Sequence, residues 1–259
     1  MAMTQSNDDD RAGAPLAGKA ALVTGGARRL GAVIARTLHA AGAQIVLHYR
    51  SSADAAESLA KELNGRRAHS AALAAADLLD PHSPAALTAA AVAAFGRLDI
   101  LVNNASTFYP TPIGHIDDRV WSDLIGTNLK APLFLAQAAS EALRASGGLI
   151  LNLVDIHGMR PLRHHPVYSV AKAGLIMLTK SLARELGPEV RVNAIAPGPV
   201  MWPEKGVDEA LRQRIIDRTA LKRGGSPEDI ARAVLFFACD APFVTGQVLA
   251  VDGGRSIGW

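Results

Sequence analysis

Cysteine, long apolar runs and an excess of one charge are all scarce in this chain of 259 residues. The single cysteine, Cys239, excludes an internal disulfide and is typical of a reducing compartment. No segment is long and apolar enough to span a membrane, so no membrane partner is expected. The formal net charge is only +3, without a run of lysine or arginine, so a nucleic-acid partner is not expected either.

The beginning of the chain is polar, acidic and irregular. It lacks the basic start and the apolar segment of a signal peptide. We therefore expect residues 1–17 to form a disordered lead-in and the protein to be cytoplasmic. Residues 18–259 contain no domain break, repeat or low-complexity tract, which predicts a single domain.

Apolar runs typical of buried strands alternate with helical patterns through the rest of the chain. The predicted strands cover residues 20–25, 43–50, 69–75, 99–105, 148–155, 190–197 and 246–254. The predicted helices cover residues 30–42, 54–63, 84–95, 119–143, 167–186, 207–216 and 227–239. Such alternation implies right-handed crossovers. We therefore expect an α/β fold, a single doubly wound (Rossmann-type) domain whose seven-stranded parallel sheet is flanked by helices.

The segment TGGARRLG, residues 24–31, follows the first predicted strand, where ligands bind in a doubly wound sheet. Gly25 and Gly31 would let the backbone approach a pyrophosphate at the start of the next helix. Arg29 stands where a third glycine of such a turn would be expected. Because many turns between a strand and a helix contain glycine, this segment alone is weak evidence.

The end of the second predicted strand carries Arg50, followed by Ser51 and Ser52. A carboxylate at this position would bind the ribose hydroxyls of NAD, whereas a guanidinium and a hydroxyl suit a 2′-phosphate. This pattern favours NADPH as the cofactor. The alternative is a solvated arginine at the end of a strand.

Tyr168 and Lys172 lie four residues apart at the start of a predicted helix, so both face the same way. A free tyrosine ionises near pH 10, about three units above neutrality. A neighbouring ammonium favours the phenolate, so we expect Lys172 to lower the pKa of Tyr168 and make it a better proton donor. Such pairs also occur by chance, and this one gains its meaning from its place after the fifth strand.

Together these segments resemble the short-chain dehydrogenase/reductases over nearly the whole chain after the lead-in. The matching pieces are TGGARRLG, ADLLD, NNAS, GTNLKAP, YSVAK, RVNAIAPG and VTGQVLAVDGG. The resemblance implies cofactor contacts from Gly25, Arg29, Leu30, Arg50, Ser51, Asp77, Leu78, Asn104, Ala105, Tyr168, Lys172, Pro197 and Gly198. It also implies that Asn128 holds a water that links Lys172 to solvent. Relatives form homotetramers through the two long helices, and the tail GGRSIGW would reach a neighbouring subunit.

One residue departs from the family pattern. The family has a serine thirteen residues before the tyrosine, and this chain has Asp155 there. An ionised carboxylate accepts hydrogen bonds but cannot donate one to a ketone oxygen. It would instead hold a substrate with N–H donors, such as an aminopyrimidine ring. The alternative is that Asp155 only caps a turn.

Arg29, Asp155 and the segments NNASTFYPTPIG and HYRSS together resemble the pteridine reductases within that family. The resemblance implies that Arg29 neutralises the pyrophosphate and reaches the substrate, and that Phe108 stacks on the pterin. The implied substrate contacts are Arg29, Ser106, Phe108, Asp155, Tyr168 and Trp202, and the implied catalytic residues are Asp155, Tyr168, Lys172 and Asn128. Trp202 would be the apolar contact of a substrate lid that extends to residue 208.

The sequence therefore predicts an NADPH-dependent reductase of a dihydropterin C=N bond, with oxidised pterin or folate as further candidate substrates. A carbonyl reductase acting on a ketone or an acyl thioester is the alternative enzyme. A non-catalytic NADP-sensing module is the alternative from another class, although an intact pair of Tyr168 and Lys172 argues against it. No metal is expected, because His164 and His165 lack partners at metal-ligand spacing, and neither they nor His157 receive a role.

Overall fold

The computed structural model describes residues 14–202 and 208–258. Most of the predicted lead-in lies outside the described residues. Leu16, however, is buried against the core, and its backbone N–H donates to the carbonyl of Ala41 at 2.8 Å. The packed part of the chain therefore begins before residue 18, where the sequence placed its boundary.

Seven parallel strands form one sheet in the order β3-β2-β1-β4-β5-β6-β7. Their bounds are β1 Ala20–Val23, β2 Gln44–Tyr49, β3 Ala71–Ala75, β4 Ile100–Asn103, β5 Leu149–Leu153, β6 Arg191–Pro197 and β7 Val248–Val251. The strand order reverses between β1 and β4, which creates the crevice where doubly wound proteins bind their ligands. The predicted fold class is confirmed.

Helices cover both faces of the sheet. They are α1 Arg29–Ala40, α2 Ala53–Arg66, α3 Ser83–Phe95, α4 Asp118–Ile125, α5 Ala131–Ser146, α6 Pro166–Glu185, α7 Glu209–Asp217 and α8 Pro227–Cys239. Val23 of β1 packs with α1, α2 and α8 on one face, and its neighbour Leu22 packs with α3, α5 and α6 on the other. Because both faces are buried, the strands are continuously apolar in sequence.

The helix predicted over residues 119–143 is not a regular α-helix throughout. A π-helical turn, Gly126–Lys130, separates α4 from α5. Pro132 lies in the first turn of α5, and it has no N–H to donate to the carbonyl four residues earlier, which belongs to Asn128. Its ring also crowds that carbonyl, so the helix is wider here. Such π turns occur often at functional sites, and this one carries Asn128.

Among the described residues, no helix combines the length and the apolar character needed to cross a membrane.

A buried carboxylate joins the amino-terminal ends of β1 and β4. Asp99 is 3% exposed and accepts hydrogen bonds from the backbone N–H of Ala20 at 2.9 Å and from Arg97 at 2.6 and 2.7 Å. Lys19 lies 3.0 Å from the same carboxylate. Burial alone would raise the pKa of Asp99, but the hydrogen bonds from Arg97, Ala20 and Lys19 outweigh it and the pKa is lowered.

We predict that Asp99→Asn lowers the free energy of unfolding by about 2 kcal/mol at pH 7, because donors of three residues lose a charged acceptor. Since the folded-state pKa of Asp99 is depressed, this stabilisation is present above about pH 4 and is lost as the pH falls further. Urea unfolding at pH 7 and pH 3 measures both effects. The exposed Asp54, varied to Asn, is the control, with an expected change below about 0.5 kcal/mol. The role given to Asp99 would be contradicted if both variants lost the same free energy of unfolding at pH 7. It would also be contradicted if the difference between wild type and Asp99→Asn were the same at pH 3 as at pH 7.

Candidate active site

Two cavities open at the carboxyl edge of the sheet. The smaller, of about 210 Å³, is lined by Gly25, Ala27, Arg28, His48, Tyr49, Arg50, Ser51, Ser52, Asp77, Leu78, Ala105, Ser106, Thr107 and Thr127. The larger, of about 690 Å³, is lined by Arg29, Phe108, Tyr109, Pro110, Asp155, Ile156, His157, Leu162, His165, Tyr168, Pro197, Gly198, Pro199, Met201, Trp202, Leu211, Ile215 and Arg255. The residues expected at the two ends of a dinucleotide are thus divided between them.

The glycine-rich turn is shaped by close backbone approach. Gly25 has a φ of 60°, which favours glycine. A Cβ at Gly31 would lie 2.1 Å from the carbonyl oxygen of Gly25, so only glycine fits there. Asn104 donates to the carbonyls of Thr24 and Gly25 at 2.9 and 3.2 Å, which holds the turn against the end of β4. Asn104 therefore supports the turn, and its predicted ribose contact stays a prediction.

His48 is a residue of this site that the sequence analysis missed. Its Nδ1 accepts from the backbone N–H of Gly25 at 3.1 Å, and its Nε2 lies 3.1 Å from the carbonyl of Ala76. Burial lowers the pKa of His48 and favours the neutral ring that these two bonds require. His48 thus joins the turn to the end of β3. A histidine inside an apolar strand is the one sequence signal that could have indicated it.

Several predicted cofactor residues line the two cavities, and their contacts with a cofactor stay predictions. Arg50, Ser51, Asp77, Leu78 and Ala105 line the smaller cavity, and Pro197 and Gly198 line the larger one. Leu30 lines neither, because its side chain packs against the hydrophobic core. The smaller cavity is instead lined by Arg28, the neighbour of Arg29.

Arg29 occupies a position that suits glycine, since its φ is 51°. Its side chain lines the larger cavity, where Nε donates to Met201 Sδ at 3.0 Å and Nη2 donates to the carbonyl of Trp202 at 3.0 Å. The predicted reach toward the substrate agrees with this position. The predicted role at the pyrophosphate does not, because the guanidinium is directed to the segment after β6.

Asp155 and Tyr168 form the central hydrogen bond of the larger cavity. The hydroxyl of Tyr168 donates to Asp155 Oδ2 at 2.8 Å. Oδ1 of the same carboxylate accepts from the backbone N–H of His157 at 2.8 Å and caps the short 3₁₀ turn Ile156–Gly158. One oxygen of Asp155 therefore caps a turn, as the alternative held, while the other accepts from the phenol, and the predicted contact of Asp155 with a substrate stays a prediction.

The pKa of Tyr168 is raised, whereas the sequence analysis expected it to be lowered. Burial, followed by the charge of Asp155 and the hydrogen bond to it, raises the pKa of Tyr168 well above 10, with a smaller opposing effect of Ser106. The prediction that Lys172 lowers this pKa is wrong for this arrangement. The Lys172 ammonium lies 5.6 Å from the centre of the phenol ring, whereas the carboxylate contacts the hydroxyl directly.

Lys172 is itself buried, with 2% of its surface exposed. Its Nζ donates to the carbonyl of Leu153 at 2.8 Å. Burial lowers the pKa of Lys172 to about 8, and the charge of Asp155 acts in the opposite direction. The ammonium form therefore prevails at neutral pH and is lost above pH 8.

Asn128 is held by bonds to three neighbours. Its Nδ2 donates to the carbonyls of Leu124 at 2.9 Å and of Thr107 at 3.0 Å. Its Oδ1 accepts from Ser106 Oγ at 2.6 Å. Asn128 thus fixes the loop after β4, and its predicted water-holding role stays a prediction. Ser106 lines the smaller cavity rather than the larger one where its predicted substrate contact would be.

Phe108 is 47% exposed at the larger cavity. Its ring stacks on His165 with the ring centres 4.7 Å apart and the planes 9° apart. It also meets Tyr168 edge to face at 4.8 Å. The structure therefore places Phe108 beside the phenol and adds His165 as a stacking partner that the sequence did not identify, and the predicted stacking of Phe108 on a pterin stays a prediction.

Two of the histidines left without a role and Trp202 differ in whether they line the larger cavity. His157 lines the larger cavity, and His164 lies outside its lining. Trp202 lines the cavity, with the guanidinium of Arg212 5.5 Å above its ring. Residues 203–207 of the predicted lid lie outside the described residues. Within residues 14–202 and 208–258, no three His, Cys, Asp or Glu side chains come together as a metal ion would need.

Most of the chain is similar in sequence to known proteins. The sequence model of the family described as "Enoyl-(Acyl carrier protein) reductase" matches residues 25–256. "Pteridine reductase 1" of Leishmania tarentolae is 36% identical over 280 residues, which cover 92% of this chain and 96% of that protein. "3-oxoacyl-[acyl-carrier-protein] reductase FabG" of Staphylococcus aureus is 35% identical over 240 residues, which cover 91% and 97%.

A solved structure extends this similarity to the fold. "Crystal structure of blue fluorescent protein from metagenomic library in complex with NADPH" superposes with a TM-score of 0.87 at 34% identity, over 93% of this chain and 99% of that one. The chain belongs to the short-chain dehydrogenase/reductase family, as its motifs indicated. It is an oxidoreductase by family, and this membership together with the NADPH-bound neighbour confirms the predicted nicotinamide cofactor.

We predict that Asp155→Asn lowers the pKa of Tyr168, because the variant removes the negative charge that opposes phenolate formation. Titration of the tyrosine ring carbons by NMR measures this directly, with Tyr168→Phe assigning the signal.

The matched control is Asp123→Asn. Tyr109 donates to Asp123 at 2.8 Å, and burial together with this carboxylate raises the pKa of Tyr109 to about 12. This control should lower the pKa of Tyr109 and leave that of Tyr168 unchanged. A Tyr168 titration that is the same in wild type and Asp155→Asn would overturn the account of the pair.

Proposed function

We propose that the protein is an NADPH-dependent pteridine reductase that reduces a C=N bond of a dihydropterin, with oxidised pterin and folate as further substrates. The observation that carries this proposal is the Asp155 carboxylate, which lines the larger cavity and accepts a hydrogen bond from the Tyr168 hydroxyl. A carboxylate beside the proton donor suits a ring with N–H groups and disfavours a ketone oxygen.

The described residues fit a nicotinamide dinucleotide. The turn around Gly25 and Gly31 leaves no room for side chains and exposes backbone at the start of α1, as a pyrophosphate requires. Arg28, Arg50 and Ser51 line the smaller cavity and provide cations and a hydroxyl for a 2′-phosphate. When bound, the reduced cofactor supplies the hydride.

The chain supplies the proton and the orientation of the substrate. Tyr168 is protonated at neutral pH, as a tyrosine of ordinary pKa would also be, and its hydroxyl oxygen lies 2.8 Å from Asp155. A substrate amino group bound to the carboxylate would bring a ring nitrogen next to this hydroxyl. The Lys172 ammonium near the phenol ring would stabilise the charge left after proton transfer.

Asp155 also repels the alternative substrate class. A ketone or thioester carbonyl develops negative charge on oxygen during reduction, and an ionised carboxylate opposes that charge. The similarity to 3-oxoacyl reductases, at 35% identity, is nevertheless almost the same as that to pteridine reductase 1. A carbonyl reductase is therefore the second candidate, and a non-catalytic NADP sensor is a weaker third, because Tyr168 and Lys172 are both in place.

We further infer that the protein is a cytoplasmic homotetramer. Support comes from apolar side chains exposed on the two long helices: Leu133 and Phe134 on α5, and Val170 and Met177 on α6. Exposed apolar residues in such number on neighbouring helices are typical of an interface. The tail described up to residue 258 contacts its own chain, since Arg255 donates to the carbonyl of Ile215, and its predicted reach to another subunit stays a prediction.

The test of the proposal is NADPH oxidation with dihydrobiopterin, dihydrofolate, a panel of ketones and acetoacetyl thioesters. We predict turnover of a pterin, and we predict that Asp155→Ser lowers its kcat/KM by about 100-fold, the loss expected when a charged hydrogen-bonding group in an active site is removed. The same variant should leave NADPH binding unchanged.

The outcomes separate the three candidates. Turnover of ketones or thioesters alone, maintained or improved in Asp155→Ser, would replace the pterin proposal with the carbonyl reductase. Tight NADPH binding without turnover of any compound would support the sensor.

A further inference from the structure

The larger cavity contains a cation that the proposed reaction does not use. Arg255 lies in the turn that follows β7 and lines the same cavity as Asp155 and Tyr168. Asp155 is the only carboxylate among the described residues of that lining. The cavity next to Arg255 therefore carries little negative charge. Ile215 and Leu211 of α7 form the apolar wall next to it.

Arg255 is held in place by its own turn. Asp252 Oδ1 accepts from the backbone N–H of Gly254 at 2.9 Å, and Oδ2 accepts from that of Ser256 at 2.7 Å. A Cβ at Gly254 would lie 2.6 Å from the Cβ of Ala220, so the turn packs tightly beyond the end of α7. Nη1 of Arg255 then donates to the carbonyl of Ile215 at 3.1 Å. The half-buried guanidinium is therefore positioned before any substrate binds.

The charge of this guanidinium is poorly compensated. In the part of the chain that the structure describes, no carboxylate lies within 4 Å of it, and the carbonyl of Ile215 is its one hydrogen-bond acceptor. Burial and then the neighbouring Arg218 lower the pKa of Arg255, and the charge of Asp252, which raises it, does not outweigh them. A partly buried cation in this state favours an anionic ligand.

The other basic side chains of the cavity also form hydrogen bonds within the protein. Arg29 binds Met201 and Trp202. His157 and His165 each place Nδ1 against a backbone carbonyl, at 3.2 and 2.9 Å. Arg255 has four further N–H donors in a planar arrangement that matches a carboxylate.

We propose that Arg255 is a specificity-determining residue that binds a carboxylate on the side chain of the substrate, while Asp155 binds the ring. The substrate class is then a pterin with an anionic tail rather than one with a neutral tail. This inference rests on the proposed function, because it takes the ring bound at Asp155 to be a pterin.

The experiment compares dihydrofolate with the analogue in which both glutamyl carboxylates are amides. These two compounds match in size and differ in charge. We expect wild type to prefer the carboxylate form by about 10-fold in kcat/KM, through KM, as the loss of one charge-assisted hydrogen-bonded pair implies. Arg255→Met should remove this preference, and its kcat/KM for the amide analogue should stay within about twofold of the wild-type value. Arg255→Lys should retain part of it.

Arg214→Met is the matched control, since Arg214 is an exposed arginine of the same helix, α7, and lies outside the cavity lining. It should leave both substrates unchanged, which excludes an effect of net charge alone. The KM for NADPH should be the same in all variants. Equal losses for the two substrates in Arg255→Met, or a raised KM for NADPH in that variant, would overturn the proposal.

Calorimetric binding of folate and its diamide to the enzyme with NADP⁺ separates this inference from the proposed function. If wild type reduces neither pterin but binds folate about 10-fold more tightly, and Arg255→Met removes that difference, the proposed function fails and the anion site stands. If wild type reduces both pterins and binds folate and its diamide equally, the proposed function stands and the anion site fails.

Discussion

The hydrogen bond from the Tyr168 hydroxyl to the Asp155 carboxylate, 2.8 Å long, is the interaction on which the proposed chemistry of this protein depends. It joins the segment after β5 to the start of α6, and it brings a negative charge to the place where the family has a neutral serine. The consequence is a phenol whose pKa is raised and a cavity whose reactive end accepts hydrogen bonds. The proposed substrate selection rests on that polarity, because a carboxylate accepts hydrogen bonds from N–H groups and cannot donate one to a carbonyl oxygen.

The sheet positions this pair together with the cofactor cavity. Parallel strands end at one edge, so the turn after β1, the loop after β4 and the segments after β5 and β6 meet there. The π turn between α4 and α5 places Asn128 where it holds Ser106 and Thr107. Gly31 approaches Gly25 so closely that no side chain fits between them. These local contacts hold the turn and the loop that line the two cavities.

Much of the fold and part of the candidate site could be predicted from the sequence, because apolar periodicity indicates buried strands and glycine spacing indicates tight turns. All seven strands, the phosphate turn and the pair of Tyr168 and Lys172 follow from such patterns. The direction of the Tyr168 pKa shift does not, since it depends on which charge lies nearer in space. The π turn, His48 and the orientation of Arg29 likewise arise from tertiary contacts. Arg255 is distant in sequence from the other cavity residues, and only the fold brings it to them.

The Asp155 carboxylate is expected to contact N–H groups of the bound substrate ring, and the proposed function depends on this contact. A crystal structure of the protein with NADP⁺ and a 2-aminopteridine measures it directly. The account predicts an Asp155 oxygen within about 3.2 Å of the amino nitrogen of the ring, while the Tyr168 hydroxyl lies at hydrogen-bond distance from a ring nitrogen. A carboxylate that instead turns away from the ring, with the pterin bound only through Arg29 or the stacked Phe108, would contradict it.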